Sequence, residues 1–243
     1  MAKSFQVDTG GTLLTGLMAY YDFQTDSKDQ SVNGRDGVDT NAPTYTAGKV
    51  GNALTCVRAS LQYVSVPNAV ITWGTNVLSV NFWFKLAAIN LLTSLAPMTA
   101  RTGQGTLIYY DGTNLVFSKP NVADCYAAWA GENTNYHMLT CVGRSAATFM
   151  QIYLDGASFA TNANSANWVD PLGDTLTIGG FKSAGAMQAN WYLGGQIDEL
   201  GFWSKSLSAQ EIGDLYNNGV GQTMVEAGVK AVNIPTLLMM NVG

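Results

Sequence analysis

One stretch constrains the fold more than any other: Trp191 to Gly219, WYLGGQIDELGFWSKSLSAQEIGDLYNNG. Gly194-Gly195 is a turn signal. Gln196 to Trp203 is a short β-prone run, with Leu200 and Phe202 on one face and Glu199 and Trp203 on the other. Ser208-Ala209-Gln210-Glu211 then reads as a capping box. The Ser208 hydroxyl can accept from the Glu211 N–H, and the Glu211 carboxylate can accept from the Ser208 N–H. Leu207 and Ile212 hold the two staple positions, and Gly219 is placed to end the helix. Ile212, Leu215 and Tyr216 form one apolar stripe. The segment predicts a turn, a strand and a short capped helix in direct succession.

The rest of the chain is built from short alternating runs. Leu17, Ala19, Tyr21 and Phe23 alternate inward, and Asp26 to Asn41 is a polar loop with Asn-Gly and Asp-Gly turn pairs. Val80, Phe82, Phe84 and Leu86 form one face of a strand whose other face carries Asn81, Trp83 and Lys85. Thr106 to Tyr110 and Asn114 to Ser118 flank Asp111-Gly112, a hairpin signature. Met150, Ile152 and Leu154 point inward along another run, closed by Asp155-Gly156. Strands with turn signals at this spacing, with one short terminal helix, predict a single all-β sandwich without internal repeats.

Composition narrows the partners. Charged residues are 12% of the chain, about half the usual share, and Thr, Asn, Ser, Gln and Gly take their place. Such a surface suits either a subunit of an assembly or a Thr/Asn-rich β protein. The net charge is −5 with no basic cluster, which argues against a nucleic-acid partner. The three cysteines, Cys56, Cys125 and Cys141, cannot all pair and have no zinc spacing. MAKSFQVDTGG lacks the apolar region of a signal peptide, and no run is long enough to cross a bilayer. The expectation is a protein made in a reducing cytoplasm, with no membrane insertion.

These fragments, taken in order, resemble the laminin-G-like (concanavalin A-like) jelly-roll domains. Gln196-Ile197-Asp198-Glu199 followed by Leu207-Ser208 and Glu211-Ile212 is similar to the family's "G-x-I-D-E" strand and "L-S-x-x-E-I" turn. Upstream, LMAYYDF (Leu17 to Phe23), DQSVNGRDG (Asp29 to Gly37), Ala53-Leu54 with Tyr63 to Pro67, LSVNFWFK (Leu78 to Lys85), Tyr136-His137 and IYLDG (Ile152 to Gly156) match in the family's order. The resemblance covers Leu14 to Gly221. It implies a two-sheet jelly roll at 14–221, with an N-terminal arm at 1–13 and a C-terminal assembly tail at 222–243. The fold includes glucanases with an E-x-D-x-x-E strand, but here Gln196 stands where the nucleophile would be. Retaining hydrolysis needs two carboxylates about 5 Å apart, so no enzyme is expected.

Two kinds of binding site remain open. Asp198 shares the parity of Leu200 and Phe202, so it is expected to face the core, where a carboxylate needs a partner. Related domains often hold a structural calcium. Asp198 is thus either a calcium ligand, with further oxygens from the Asp29–Asp36 loop, or a cap on backbone N–H groups. For a host glycan the candidates are Trp168, Trp191, Tyr192 and Trp129, in or beside polar loops, with Trp83 and Tyr153 on outward strand faces. The alternative is that these rings cover core edges or subunit contacts.

After Gly221 the pattern stops, yet Ile234, Leu237, Leu238, Met239 and Met240 follow. An apolar run of this kind is expected to anchor the subunit on a neighbour. The functional expectation is a non-enzymatic bacteriophage virion surface protein, a capsid decoration subunit or a tail or fibre adhesin. It would contact other virion subunits or itself as a homo-oligomer and attach to host glycans. The other class is a free carbohydrate-binding module or lectin of a cellular surface protein.

Overall fold

A computed structural model describes residues 5–7, 12–75, 77–89, 92–95, 99–101, 104–131, 135–144, 149–163, 168 and 175–225. Two large sheets dominate. The eight-stranded sheet runs Ala157–Asn162, Phe149–Leu154, His137–Arg144, Leu78–Leu86, Gly195–Trp203, Asn52–Cys56, Thr44–Ala47, with Leu17–Tyr21 also paired to Gly195–Trp203. The seven-stranded sheet runs Ala123–Ala128, Asn114–Lys119, Gln104–Tyr110, Thr99–Arg101, Lys182–Ser183, Ala186–Met187, with Thr93–Ser94 paired to Gln104–Tyr110. A three-stranded sheet (Leu176–Ile178, Tyr63–Val66, Val38–Thr40) completes an all-β jelly-roll sandwich.

Period-2 alternation fills the space between the sheets. Phe82, Phe84, Cys141, Ile152 and Phe202 come from one sheet, and Ile108, Tyr110, Leu115, Phe117 and Cys125 from the other. All three cysteines are free and buried, as small hydrophobes. The Asp111-Gly112 hairpin forms as expected, with the Asp111 carboxylate accepting from the Thr113 and Asn114 N–H groups at 2.8 and 2.6 Å.

The closing strand departs from simple alternation. Along its whole length it pairs with Leu78–Leu86, while its other edge changes partner from Asn52–Cys56 to Leu17–Tyr21. At the changeover one extra residue is inserted between Asp198 and Gly201, and Glu199 takes φ +51. Such a bulge inverts the facing of what precedes it. Ile197, Leu200 and Phe202 face the main core, whereas Asp198 lies opposite Trp83 on the other side of the sheet. The expectation that Asp198 shares the face of Leu200 and Phe202 is therefore corrected. A second register shift, between Phe202 and Trp203, accompanies Leu17 leaving the core that holds Ala19, Tyr21 and Phe23.

The helix Ala209–Tyr216 covers this other side. Its capping box is complete: the Glu211 N–H donates to the Ser208 hydroxyl at 3.2 Å, and the Ser208 N–H to the Glu211 carboxylate at 2.8 Å. The helix ends at Tyr216, because Asn217 already takes the left-handed conformation expected of Gly219. Ile212, Leu215 and Leu207 bury against Trp83, Met138, Val142, Tyr153 and Trp203, and Tyr216 stacks on Trp83 at 5.7 Å. Phe5–Val7 pairs in parallel with Thr223–Val225, and the Trp203 indole N–H donates to the Leu13 carbonyl at 2.6 Å.

Candidate functional site

The aromatic residues singled out from sequence separate into buried and open ones. Trp168 is 1% exposed, stacked on Phe117 at 5.5 Å, with the Lys119 ammonium 3.8 Å over its ring. It is a core residue and not a loop platform: its own backbone N–H donates to the Thr75 carbonyl at 2.8 Å and its carbonyl accepts from the Gly74 N–H at 2.7 Å, with the indole buried. Tyr192 is buried against Tyr63. Trp129 is half-buried at the core edge, edge-on to Phe84, Tyr110 and His137. Trp83 and Tyr153, expected on outward faces, are indeed outward on their strands but are sealed under the helix layer.

Trp191, like Trp129, is half-buried, but it stands on the outer face of the seven-stranded sheet, 5.2 Å from Tyr109 edge-on and 4.8 Å from Phe181. Tyr109 lies opposite Val116, which lies opposite Tyr126, so the three share one face. Tyr126 is 61% exposed. Two strand spacings put it roughly 10 Å from Tyr109. Asp124 and Ser118 form the next row and are hydrogen-bonded to each other. The loop bearing Trp191 is held by Arg58, whose guanidinium donates to the carbonyls of Leu92 and Tyr192 at 2.7 and 2.8 Å and to that of Asn190. The indole is thus preorganised, with the exposed Asn190 beside it. Tyr109, Phe181 and Tyr126 were missed from sequence. The only available signal was the Tyr109-Tyr110 pair, which must present one ring to each side of its strand.

The second feature is the buried carboxylate pair. Asp198 is 0% exposed, and its Oδ2 accepts from the N–H groups of Lys49 and Val50, both at 2.8 Å. These belong to the turn between Thr44–Ala47 and Asn52–Cys56. Burial pushes Asp198 up to about 7, against the pull of those N–H groups. Glu199 accepts from the Tyr20 hydroxyl and, at 2.9 Å, from that of Thr223, and burial beside Asp198 raises it well above the usual glutamate range. Calcium requires six to eight oxygen ligands. Asp198 Oδ2 instead faces two N–H donors while its buried Oδ1 has no hydrogen-bond partner among the described residues, and the Asp29 carboxylate is surrounded by the N–H groups of Tyr20, Ser31 and Arg35 and the Ser31 hydroxyl. Among the described residues no three metal-ligating side chains cluster. The donor set around Asp198 fits a carboxylate that caps a turn and does not fit a calcium ion.

His137 pairs with Asp155 at 2.7 Å, and Asp155 also accepts from the Met138 N–H at 2.9 Å, so the pair pins a strand start to a turn. The apolar tail residues Ile234, Leu237, Leu238, Met239 and Met240 lie outside the described residues.

A family model described as the concanavalin A-like lectin/glucanases superfamily matches residues 58–213. No curated protein sequence matches the chain. Among solved structures, domain 4 of AbnA, a GH43 extracellular arabinanase from Geobacillus stearothermophilus in complex with arabinotriose, is 19% identical with a TM-score of 0.61, over 85% of this chain and 98% of that one. The binding domain of Paraclostridial Mosquitocidal Protein 1 is 12% identical with a TM-score of 0.69, over 86% of this chain and 53% of that one. The binding domain of Botulinum Neurotoxin DC, in complex with SialylT, is 16% identical with a TM-score of 0.62, over 83% and 51%. The chain thus spans about half of each toxin binding domain, and these likenesses concern the fold.

Proposed function

The chain belongs to the concanavalin A-like lectin/glucanases superfamily, and from that premise we propose that it is a non-enzymatic saccharide-binding domain whose platform is Trp191. One observation carries this reading: an indole fixed by Tyr109 and Phe181, left half-open on a sheet face that also presents Tyr126. Rings held this way suit the C–H face of a sugar, and the neighbouring exposed Asp124 and Asn190 suit its hydroxyls. Tyr192 is buried against Tyr63, and Trp129 stands edge-on to Phe84, Tyr110 and His137 at the core edge, apart from this platform. Two neighbouring folds were solved with saccharide ligands, arabinotriose and SialylT, which agrees with this reading. The absence of catalysis is supported by Asp198 and Glu199, which lie buried on the opposite sheet with N–H and hydroxyl donors around them.

The test is a glycan array followed by titration of any hit against Trp191→Ala, Tyr109→Ala and Tyr126→Ala. Loss of one stacking ring is worth on the order of 1 kcal/mol, so each variant weakens binding several-fold and the Trp191→Ala, Tyr109→Ala double variant by roughly 30-fold. Binding that survives Trp191→Ala with Tyr109→Ala unchanged sinks the assignment.

The finer placement, as a virion surface subunit, rests on the low surface charge and on the apolar composition of residues 226–243. Thr223 and Met224 pack on the sandwich and bond Glu199 and Tyr20, so truncation belongs after Val225. The domain cut there is expected to melt as the full chain does and to lose self-association or incorporation into a particle. Unchanged association, or unfolding, speaks against an assembly tail.

A further inference from the structure

A second polar surface lies on the eight-stranded sheet, on the same side as the helix but away from the residues it buries. The register sets Lys85, Gln196, Thr55 and Thr44 in one row across four strands. The Gln196 amide is locked: its oxygen accepts from the Tyr136 hydroxyl at 2.6 Å, and its nitrogen donates to Thr55 Oγ1 at 3.0 Å and Ala47 O at 3.1 Å. Lys85 is different. Its ammonium sits 5.9 Å from the Tyr136 ring centroid, with no carboxylate or hydrogen-bond acceptor among the described residues.

Beside this row is a depression of about 310 Å³, lined in part by Thr55, Val57, Lys85, Ala87 and Gln196, in which Lys85 is the sole charged group among the described residues. Its volume is at the low end of ligand sites, roughly 300–1,000 Å³, enough for one sugar ring. Gly194 borders it beside the lining residue Ala87. A Cβ there would meet Arg58 Cβ at 3.4 Å and Ala87 Cβ at 3.8 Å, ordinary contacts, on a backbone outside the left-handed region. The surface therefore combines a fixed amide, a hydroxyl, the exposed apolar Val57 and one ammonium that has the Tyr136 ring but no carboxylate beside it among the described residues.

We propose that this depression binds a saccharide unit bearing a carboxylate, with Lys85 taking the carboxylate, the second lone pair of the fixed Gln196 Oε1 accepting from a ring hydroxyl, and Val57 and Ala87 meeting the ring's apolar face. A charge-assisted bond from Lys85 discriminates the acid from its neutral analogue. The inference shares with the proposed function the premise that the domain takes saccharides, but it places this unit on the opposite sheet from Trp191.

The probes are glucuronic acid, glucose and acetate, titrated by NMR into the full chain and into Lys85→Gln, Gly194→Val and Trp191→Ala. Glucuronate is expected to bind at least about fivefold more tightly than glucose. That preference disappears in Lys85→Gln, binding falls in Gly194→Val as the Ala87 edge of the depression is crowded, and both preference and binding persist in Trp191→Ala. A thermal melt confirms that Gly194→Val remains folded. The proposal is overturned if glucose binds as well as glucuronate, if Lys85→Gln changes nothing, or if acetate alone produces the same shifts at the same concentration. Glucuronate binding that depends on Trp191 and not on Lys85 also overturns it, while leaving the aromatic platform standing. Lys85-dependent binding with a silent Trp191→Ala in every glycan assay does the reverse.

Discussion

The outer faces of the two large sheets carry similar residues and have opposite fates. On the eight-stranded sheet, Trp83, Tyr153 and Trp203 point away from the central core and are then roofed by Leu207, Ile212, Leu215 and Tyr216. On the seven-stranded sheet, Tyr109 and Tyr126 point away from the same core and, among the described residues, have no helix over them; Trp191 and Phe181 lean on Tyr109. An aromatic residue at an outward strand position is therefore structural on one face and available on the other. The difference comes from a single eight-residue helix whose cap and staple lay it over one sheet.

The comparison is broken most severely on the roofed face. Trp203→Ala removes a buried indole and its bond to Leu13, and is expected to cost about 3–5 kcal/mol in urea unfolding. Trp191→Ala, on the open face, is expected to cost less than about 1.5 kcal/mol while weakening glycan binding. Equal costs would mean that the two faces are not different in kind.

Next in size is a pH effect confined to the roofed side. Asp198 has its pKa raised in the folded state to about 7, from an ordinary value near 4. The folded chain then binds more protons than the unfolded one between about pH 4 and 7, so this group's contribution is fully present at the acid end and is lost as pH rises through 7. Asp198→Asn keeps an oxygen for the Lys49 and Val50 N–H groups and removes the titration. Relative to the parent it should gain on the order of a few kcal/mol between pH 4 and 7. Parallel stability–pH curves for the two proteins would show that Asp198 does not titrate there. Chelator is expected to leave both melting curves where they are, since the carboxylate serves a turn; a melting temperature lowered by chelator in the parent and not in Asp198→Asn would restore the calcium ligand.

The smallest effect tests the roof's hinge. Ser208→Ala removes half of the capping box and should cost about 1 kcal/mol, leaving glycan binding on the other sheet unaltered. Although burial opposes it, Lys205 and the Ser208 N–H and hydroxyl hold the Glu211 carboxyl below its usual range. That contribution is present at neutral pH and is lost as pH falls through the folded pKa, and Ser208→Ala should blunt this acid-side loss.

Local rules made much of the architecture legible. The Asp111-Gly112 hairpin, the inward sets along Leu78–Leu86 and Phe149–Leu154, and the cap at Ser208 follow from side-chain period and short-range hydrogen bonds, which are properties of neighbours in the chain. The bulge at Asp198–Gly201 was not legible. Nothing in Ile-Asp-Glu-Leu announces an extra residue, and the bulge coincides with the exchange of Asn52–Cys56 for Leu17–Tyr21 as edge partners. For the same reason Trp168 was misplaced: a polar loop composition says nothing about Phe117 waiting beneath it.

What the sequence by itself determined is the all-β class, the order of its strands, the capped helix and the residue types available for stacking. These rest on interactions spanning a few residues, which any window of the chain contains. Only the tertiary structure decided which outward rings are roofed, which carboxylates lose water and gain N–H donors, and that Trp191 and Tyr109, far apart in sequence, form one platform. Burial and facing are properties of pairs of distant segments: each is settled when a helix, a bulge or a neighbouring strand excludes water from a surface that the local sequence leaves open.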